Sequence, residues 1–342
     1  FPTARHLQSD VATMTGEKLL QQAGVSPGAL TALIGGPPCQ GFSVMGWRKP
    51  DDVRNTLFGH FMRLVAETQP AFFVAENVPG IAHHKNAPVL RKALARVPKH
   101  YQVLPPLVVQ GDRYGAPTSR KRLFFVGVDT RQLPRISPEA FAPPAYLTPV
   151  RVQDALRGLS PEVDAPDPRA DEGSLWHPVG PLPETFFYER VSGCVPDGVG
   201  QADALARYRK RRQVNGHIGV VHAPEIAARY GSLAPGEKDP VSRSVRLKAD
   251  GFCPTLRAGT GSEKGRRQAV RPVHPTEARV ITPREAARLQ GFPDWFVLPP
   301  TKWHSFRQIG NSVSPLVAEA VLSVLVRHVK MNAEGAHALA AA

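Results

Sequence analysis

Apolar residues first cluster in a short run, LTALI at 30–34, that stops against GGPP. A run this brief, bounded by glycine and proline, reads as a buried strand. In LFGHFMRLVAETQP, Leu57, Phe61, Leu64 and Val65 recur at helical spacing until Pro70 breaks the pattern. AFFVAENVPG then carries a second apolar strand run over 71–74, which ends in Glu76, Asn77 and a Pro-Gly turn. Strand, helix, strand in that order predicts a parallel sheet with right-handed crossovers. In such sheets ligands and chemistry gather at the carboxyl ends of the strands. Cys39 and Glu76 each lie just past the end of one of two consecutive strands, so on this reading both face one crevice. RLFFVGV at 122–128 predicts a further strand, preceded by the basic loop YGAPTSRKR.

Beyond about 133 the pattern becomes proline-rich and weakly periodic as far as about 271, with PPAYLTP, PEVDAPDPRADEG and HPVGPLPETFF. Two basic clusters follow in it: RYRKRRQ, with Arg207, Arg209, Lys210, Arg211 and Arg212, and KGRRQ at 264–268. No internal repeat is evident. The stretch reads either as one irregular domain with short strands or as a long insertion on the first domain. Helical sequence resumes at TPREAARLQGF, where Thr282 is a good N-cap, Pro283 fits the first helical position and Glu285 stands three residues after the cap. QIGNSVSPLVAEAVLSVLVRHVK predicts a loop feeding a long apolar helix from about 315, with an Ala-rich tail fraying after Met331.

The 342 residues, 42% of them hydrophobic, suffice for one large domain or two ordinary ones with real cores. No apolar run approaches the length needed to cross a bilayer, and FPTARHLQSD lacks the layout of a signal peptide. The expectation is a cytoplasmic protein without a membrane segment. Cys39, Cys194 and Cys253 sit far apart without a CxxC, which suggests neither a disulfide framework nor a metal site. A net charge of +14 changes the picture most, because basic side chains that neutralise phosphates release counterions and bind polyanions. A merely basic soluble protein is the alternative.

Cys39 stands in IGGPPCQGF (34–42), a segment too stiff and small to be ordinary core. A thiol of ordinary pKa, about 8.5, is only a few per cent thiolate at neutral pH, so a nucleophile here needs a positive or hydrogen-bonding neighbourhood. Arg120 and Arg122 could supply it. From the loop alone, nucleophile and buried structural cysteine remain equal readings. A phosphate loop fits less well, since the Lys-Ser/Thr pair is missing. Glu76 reads as the start of a turn or as a proton donor to a ring nitrogen.

Six stretches in this order are more specific than any one residue: GGPPCQGFS (35–43), RNTLF (54–58), ENV (76–78), YGAPTSRKRLFFVG (114–127), REAARLQGFPD (284–294) and QIGNSVSP (308–315). Together they resemble the cytosine-5 DNA methyltransferase family. The resemblance implies an α/β fold: a Rossmann-like S-adenosylmethionine-dependent methyltransferase domain with a smaller, irregular target-recognition domain. The catalytic domain is expected over 1–158, closed by 303–342, and the target-recognition domain over 159–302. In this family a cysteine thiolate adds to carbon 6 of a cytosine flipped out of duplex DNA, which makes carbon 5 nucleophilic toward the methyl donor. Cys39 matches that nucleophile, Glu76 the glutamate that binds N3 and the exocyclic amine, and Arg122 the arginine at O2, with Arg120 a supporting neighbour. Gln40 and Ser43 match loop positions against the DNA, and the basic cluster Arg209, Lys210, Arg211 and Arg212 is expected to reach phosphates. Asp10, Pro37, Leu57, Asn311, Ser312 and Val313 match cofactor positions.

Two departures stand out. The FxGxG glycine turn and the acidic residue after it are not found, so the domain reads as N-terminally incomplete and open to a complementing N-terminal chain. Thr118 replaces the usual glutamine of QxRxR, from which a local change is expected. A restriction-modification role fits the resemblance; the rival readings are a transfer-RNA cytosine-5 methyltransferase and a DNA-binding subunit inactive without its N-terminal cofactor lobe.

Overall fold

The structure, a computed structural model, describes residues 4–38, 56–161, 163–164, 176–193, 195–259 and 270–340. The chain divides into two compact units, a sheet unit of 5–110, 121–143 and 319–342 and a second unit of 1–4, 111–120 and 144–318.

In the sheet unit, α1 (Gly16–Ala23) is capped by the Thr15 side chain, which accepts from the Lys18 amide. β1 (Ala32–Gly35) leads through 36–55 to α2 (Leu57–Thr68), and β2 (Phe72–Asn77) pairs parallel with β1. The predicted strand, helix and parallel strand are therefore present. α2 places Phe58, Phe61, Met62, Leu64, Val65 and Thr68 in the interior and ends at Gln69 in a left-handed conformation just before Pro70. Three further elements follow, α3 (Ala87–Leu94), β3 (Tyr101–Val103) and β4 (Leu107–Gln110), and both strands pair antiparallel with β5 (Lys121–Asp129). β5 also pairs antiparallel with β2, giving the order β1-β2-β5-β3 with β4 beside β5. A core of Phe58, Met62, Phe73, Ala75, Ile81 and Phe125 lies between sheet and helices.

The second unit holds α4 (Val152–Leu156), β6 (Trp176–Pro178), α5 (Phe186–Val191), α6 (Ala202–Arg211), β7 (Gln213–Asn215), α7 (Pro224–Ser232), α8 (Pro283–Leu289) and α9 (Lys302–Asn311). β6 and β7 form a two-stranded antiparallel sheet. α8 begins as its sequence indicates: the Thr282 side chain accepts from the Glu285 amide, the Glu285 carboxylate accepts from the Thr282 amide, and Pro283 opens the helix. Its polar residues are buried ties. Arg284 donates to the Asn215 and Phe296 carbonyls, each at 2.7 Å, and Arg288 pairs with Asp294 at 2.5 Å with both side chains fully buried. The REAARLQGFPD segment thus acts as a brace around which Ala155, Phe187, Val191 and Leu298 pack.

Within the second unit Phe306, Ile309 and Leu316 of 303–318, and Val150, Val152 and Ala155 of 144–158, share a core with Ala286 and Leu289. Two expectations are corrected. First, α10 (Pro315–Ala340) continues past Met331, where fraying was expected; alanine is the strongest helix former, and Asn332 also donates to the Gln132 carbonyl at 2.9 Å. Second, Lys302–Glu334 is long and apolar enough, by length and composition alone, to cross a membrane, contrary to the reading that no run approaches that length. Its buried residues Leu316, Val317, Val321 and Leu325 make up a core-facing stripe, which gives a core helix the same composition.

Candidate active site

β1 ends at Gly35, and no side chain fits there: a Cβ would sit 2.8 Å from the Phe61 ring. The chain turns through Gly36 and the two prolines toward Cys39. Cys39, Gln40 and Ser43 lie outside the described residues, but the foot of their loop is fixed. The Asn77 side chain, almost fully buried, donates to the Pro37 carbonyl at 3.2 Å, and its own oxygen accepts from the Val78 amide at 2.9 Å. An asparagine that sequence suggests only as the start of a turn therefore ties the cysteine loop to the end of the next strand.

Glu76 is the penultimate residue of β2, within the strand rather than beyond it, and lies opposite Phe124 of β5. Residues directly opposite in an antiparallel pair share a face, and so does the residue two positions along. Arg122 is that residue. Its Nε lies 2.7 Å from Glu76 Oε1, with side chains 13% and 16% exposed, so the ion pair is shielded from most solvent. The antiparallel direction of β5 is what makes this possible: an arginine at the start of a strand meets a glutamate at the end of another. The sequence reading puts Arg122 at the start of this strand and leaves the strand's direction unstated. Glu76 Oε2 faces the loop, 3.5 Å from the place a Gly36 Cβ would take. Pro37, Glu76 and Arg122 thus converge at the carboxyl ends of β1 and β2.

Asp10 shapes a turn of its own, with Oδ1 accepting from the Ala12 amide at 2.9 Å and its carbonyl accepting from Thr13 and Met14. That turn is pinned to α2 by Arg63, which donates to the Val11 carbonyl at 2.9 Å and the Met14 carbonyl at 2.8 Å, and by Glu67, which accepts from the Gly16 amide at 2.6 Å. Glu67 Oε1 lies 2.8 Å from Arg63 Nη1. Burial raises the Glu67 carboxyl and the hydrogen bonds from Arg63 and Gly16 outweigh it, holding the group below its ordinary pKa. Leu57, half-buried, is the first residue of the same helix. Arg63 and Glu67 carry no sequence signal beyond their i, i+4 spacing.

The remaining site residues belong to the second unit. Arg120, 4% exposed, donates to the backbone carbonyls of Leu256 at 3.0 Å, Gly310 at 2.7 Å and Ser312 at 3.0 Å. Asn311 is the exposed last residue of α9, Ser312 caps it, and Val313 is half-buried. Thr118, in the departure from QxRxR, donates its hydroxyl to the Cys253 carbonyl at 3.1 Å. Cys253 is fully buried, and burial alone pushes its thiol well above the ordinary range. Arg209, Lys210 and Arg211 occupy the last turn of α6 and Arg212 caps it, where cations also complement the helix dipole. Arg212 lies over the Tyr208 ring at 4.6 Å and Arg207 over Trp176 at 5.0 Å. The second basic cluster, 264–268, lies outside the described residues. Among the described residues no group of three or more His, Cys, Asp or Glu is placed to hold a metal ion.

Comparison with known proteins adds the following. Residues 10–327 match the family described as C-5 cytosine-specific DNA methylase. The chain is 36% identical over 344 residues to Type II methyltransferase M.XorII of Xanthomonas oryzae pv. oryzae, covering 98% of this chain and 77% of that protein. It is 26% identical over 395 residues to Type II methyltransferase M.AgeI of Thalassovita gelatinovora, covering 95% and 89%. Among solved structures, a candidate DNA modification methyltransferase encoded within an E. coli prophage superposes with a TM-score of 0.85 at 45% identity, covering 96% of this chain and 88% of that one. The S. pombe Dnmt2 methyltransferase, at 15% identity and a TM-score of 0.50 over 93% and 82% of the two chains, is similar in fold alone.

Proposed function

The chain belongs to the C-5 cytosine-specific DNA methylase family, and on that premise we propose that it transfers a methyl group from S-adenosylmethionine to carbon 5 of a cytosine flipped out of duplex DNA. The observation that carries the reading is the Glu76–Arg122 pair, 2.7 Å apart beside the foot of the Cys39 loop. Its Type II relatives make a modification partner of a restriction enzyme the natural setting, and favour DNA over transfer RNA as substrate.

In this reading the Cys39 thiolate gives its electron pair to carbon 6 of the cytosine, forming a sulfur–carbon bond and moving the ring π electrons toward N3 and carbon 5. Glu76 meets N3 and the exocyclic amine, where charge grows as sulfur adds, and Arg122 meets O2. Because Arg122 also holds Oε1 of Glu76, the two groups are preorganised before the base arrives, which is the condition for charge stabilisation without reorganisation at the moment of reaction. Bound S-adenosylmethionine supplies an electrophilic methyl group. After transfer, solvent water takes the carbon 5 proton, the electrons of that bond re-form the carbon 5–carbon 6 double bond, and the sulfur–carbon bond breaks to release Cys39 as thiolate, restoring the enzyme.

The methyl donor suits the chain's own residues in part of its surface. Gln290, which caps α8 and reaches the turn after α9 through the Ser312 carbonyl, and Ser314 in that turn carry a buried Oε1 and Oγ without a hydrogen-bond partner among the described residues, as befits a turn completed by a polar ligand. Asn311, Ser312 and Val313 would hold the donor there; Asp10, Pro37 and Leu57 are further proposed donor contacts, with Asp10 on the adenine amine. Gln40 and Ser43 would lie against the DNA, and Arg209, Lys210, Arg211 and Arg212 would reach phosphates from the target-recognition part. These substrates place the enzyme in the cytoplasm, on the nucleoid. Methyl-labelled S-adenosylmethionine incubated with the protein and either duplex DNA or transfer RNA tests the proposal. Label in 5-methylcytosine of the duplex is expected; label in transfer RNA alone, or on another base, would overturn it.

A further inference from the structure

Arg120 stands two residues from Arg122, and the sequence pairs them as catalytic neighbours; the structure separates their tasks. Whereas Arg122 meets a carboxylate, the Arg120 guanidinium is directed at three backbone carbonyls, with Nη1 on Leu256 and Nη2 shared by Gly310 and Ser312. Two segments are thereby drawn together, 256–258 and 310–312. Gly310 shows how closely: a Cβ there would lie 2.3 Å from the Ala258 amide nitrogen. From the other side Gln290, fully buried, donates Nε2 to the same Ser312 carbonyl at 3.2 Å. The Ser312 carbonyl therefore accepts from both a guanidinium and an amide, and the turn that carries Asn311, Ser312 and Val313 is fixed at its backbone, with Asn311 exposed and Ser312 and Val313 half-buried.

We infer that Arg120 is a positioning residue for the methyl-donor site: it sets the 310–313 turn and does not touch the cytosine. The inference rests on the reading of that turn as a cofactor contact. A planar guanidinium serves three carbonyls at fixed angles, a geometry that a lysine ammonium at the same place cannot reproduce. Substitution should therefore loosen donor binding while leaving the chemistry at the base intact.

The test compares the unsubstituted protein with Arg120→Lys and Gln290→Leu. Direct titration gives the S-adenosylmethionine affinity, kinetics give kcat and KM for donor and for DNA, and a thermal melt establishes that each variant is folded. Arg120→Lys keeps the charge, so it guards against the collapse that Arg120→Ala could cause by orphaning buried carbonyls. Donor affinity is expected to fall about tenfold or more in Arg120→Lys, and severalfold in Gln290→Leu, with kcat at saturating donor and KM for DNA changed by less than about threefold. If instead kcat falls at saturating donor while donor affinity is unchanged, Arg120 acts at the base and the inference is wrong. If the unsubstituted protein itself binds no S-adenosylmethionine, the functional reading fails and the inference with it.

Discussion

Cys39→Ser is expected to lower methyl transfer by at least about four orders of magnitude while leaving duplex DNA binding within about twofold. The serine hydroxyl is nearly the same size, so the glycine and proline loop that carries it is not disturbed. What changes is the nucleophile. A thiol is a few per cent ionised at neutral pH and strongly nucleophilic as its anion, whereas a hydroxyl needs a strong neighbouring base to attack a ring carbon. The loop's foot, with Pro37 tied to Asn77 and Gly35 against Phe61, is described by contacts that do not involve the thiol, so a loss of activity without loss of folding isolates the chemistry. Quantitative label transfer together with a DNA-binding titration measures both arms, and a serine variant retaining a tenth of the rate would exclude Cys39 as the nucleophile.

Glu76→Gln is the second large effect, an expected loss of roughly a hundred- to a thousandfold in kcat with donor and DNA affinities little changed. The amide is isosteric and still donates to a ring acceptor, but it carries no exchangeable carboxyl proton and no charge to hold Arg122. Arg122→Lys should cost a similar factor, because the 2.7 Å contact from Nε depends on the guanidinium's fixed geometry. Since the two side chains act as one unit, the double variant should lose little more than the worse single one. Strictly multiplicative losses in that cycle would show that the residues work separately. Because the pair is shielded from most solvent, removing one partner also lowers stability by leaving the other charge poorly compensated, so a thermal melt accompanies each rate to establish that the variant is folded.

The parts of this fold that sequence makes plain are those where one local rule decides. A Thr, a Pro and a Glu at fixed offsets start α8, and apolar spacing before Pro70 delimits α2. The strand, helix, strand order predicts the parallel pairing of β1 with β2. Strand direction in β5 is different. Both directions present the same apolar run, and only pairing with β2 decides between them, yet that direction is what brings Arg122 to Glu76. The backbone carbonyls that Arg120 and Arg288 bind escape sequence for a related reason: those of Leu256, Gly310 and Ala155 lie more than a hundred residues away in the chain. Buried arginines of this sort look from sequence like a basic surface. Part of the net charge of +14 is therefore structural, and only the exposed remainder, such as the last turn of α6, is available to phosphates.

Covalent capture tests the central claim most directly. Duplex DNA carrying 5-fluorocytosine supplies a base whose carbon 5 fluorine cannot leave as a proton does, so an enzyme that has added its thiol to carbon 6 and transferred the methyl stays attached. Incubation with S-adenosylmethionine, followed by denaturing electrophoresis and peptide mass analysis, reads the bond. The result expected is a denaturation-stable complex that depends on the methyl donor, with the modified base on the peptide containing Cys39. Methyl transfer to ordinary duplex with no trapped complex, or a complex on Cys194 or Cys253, would contradict it.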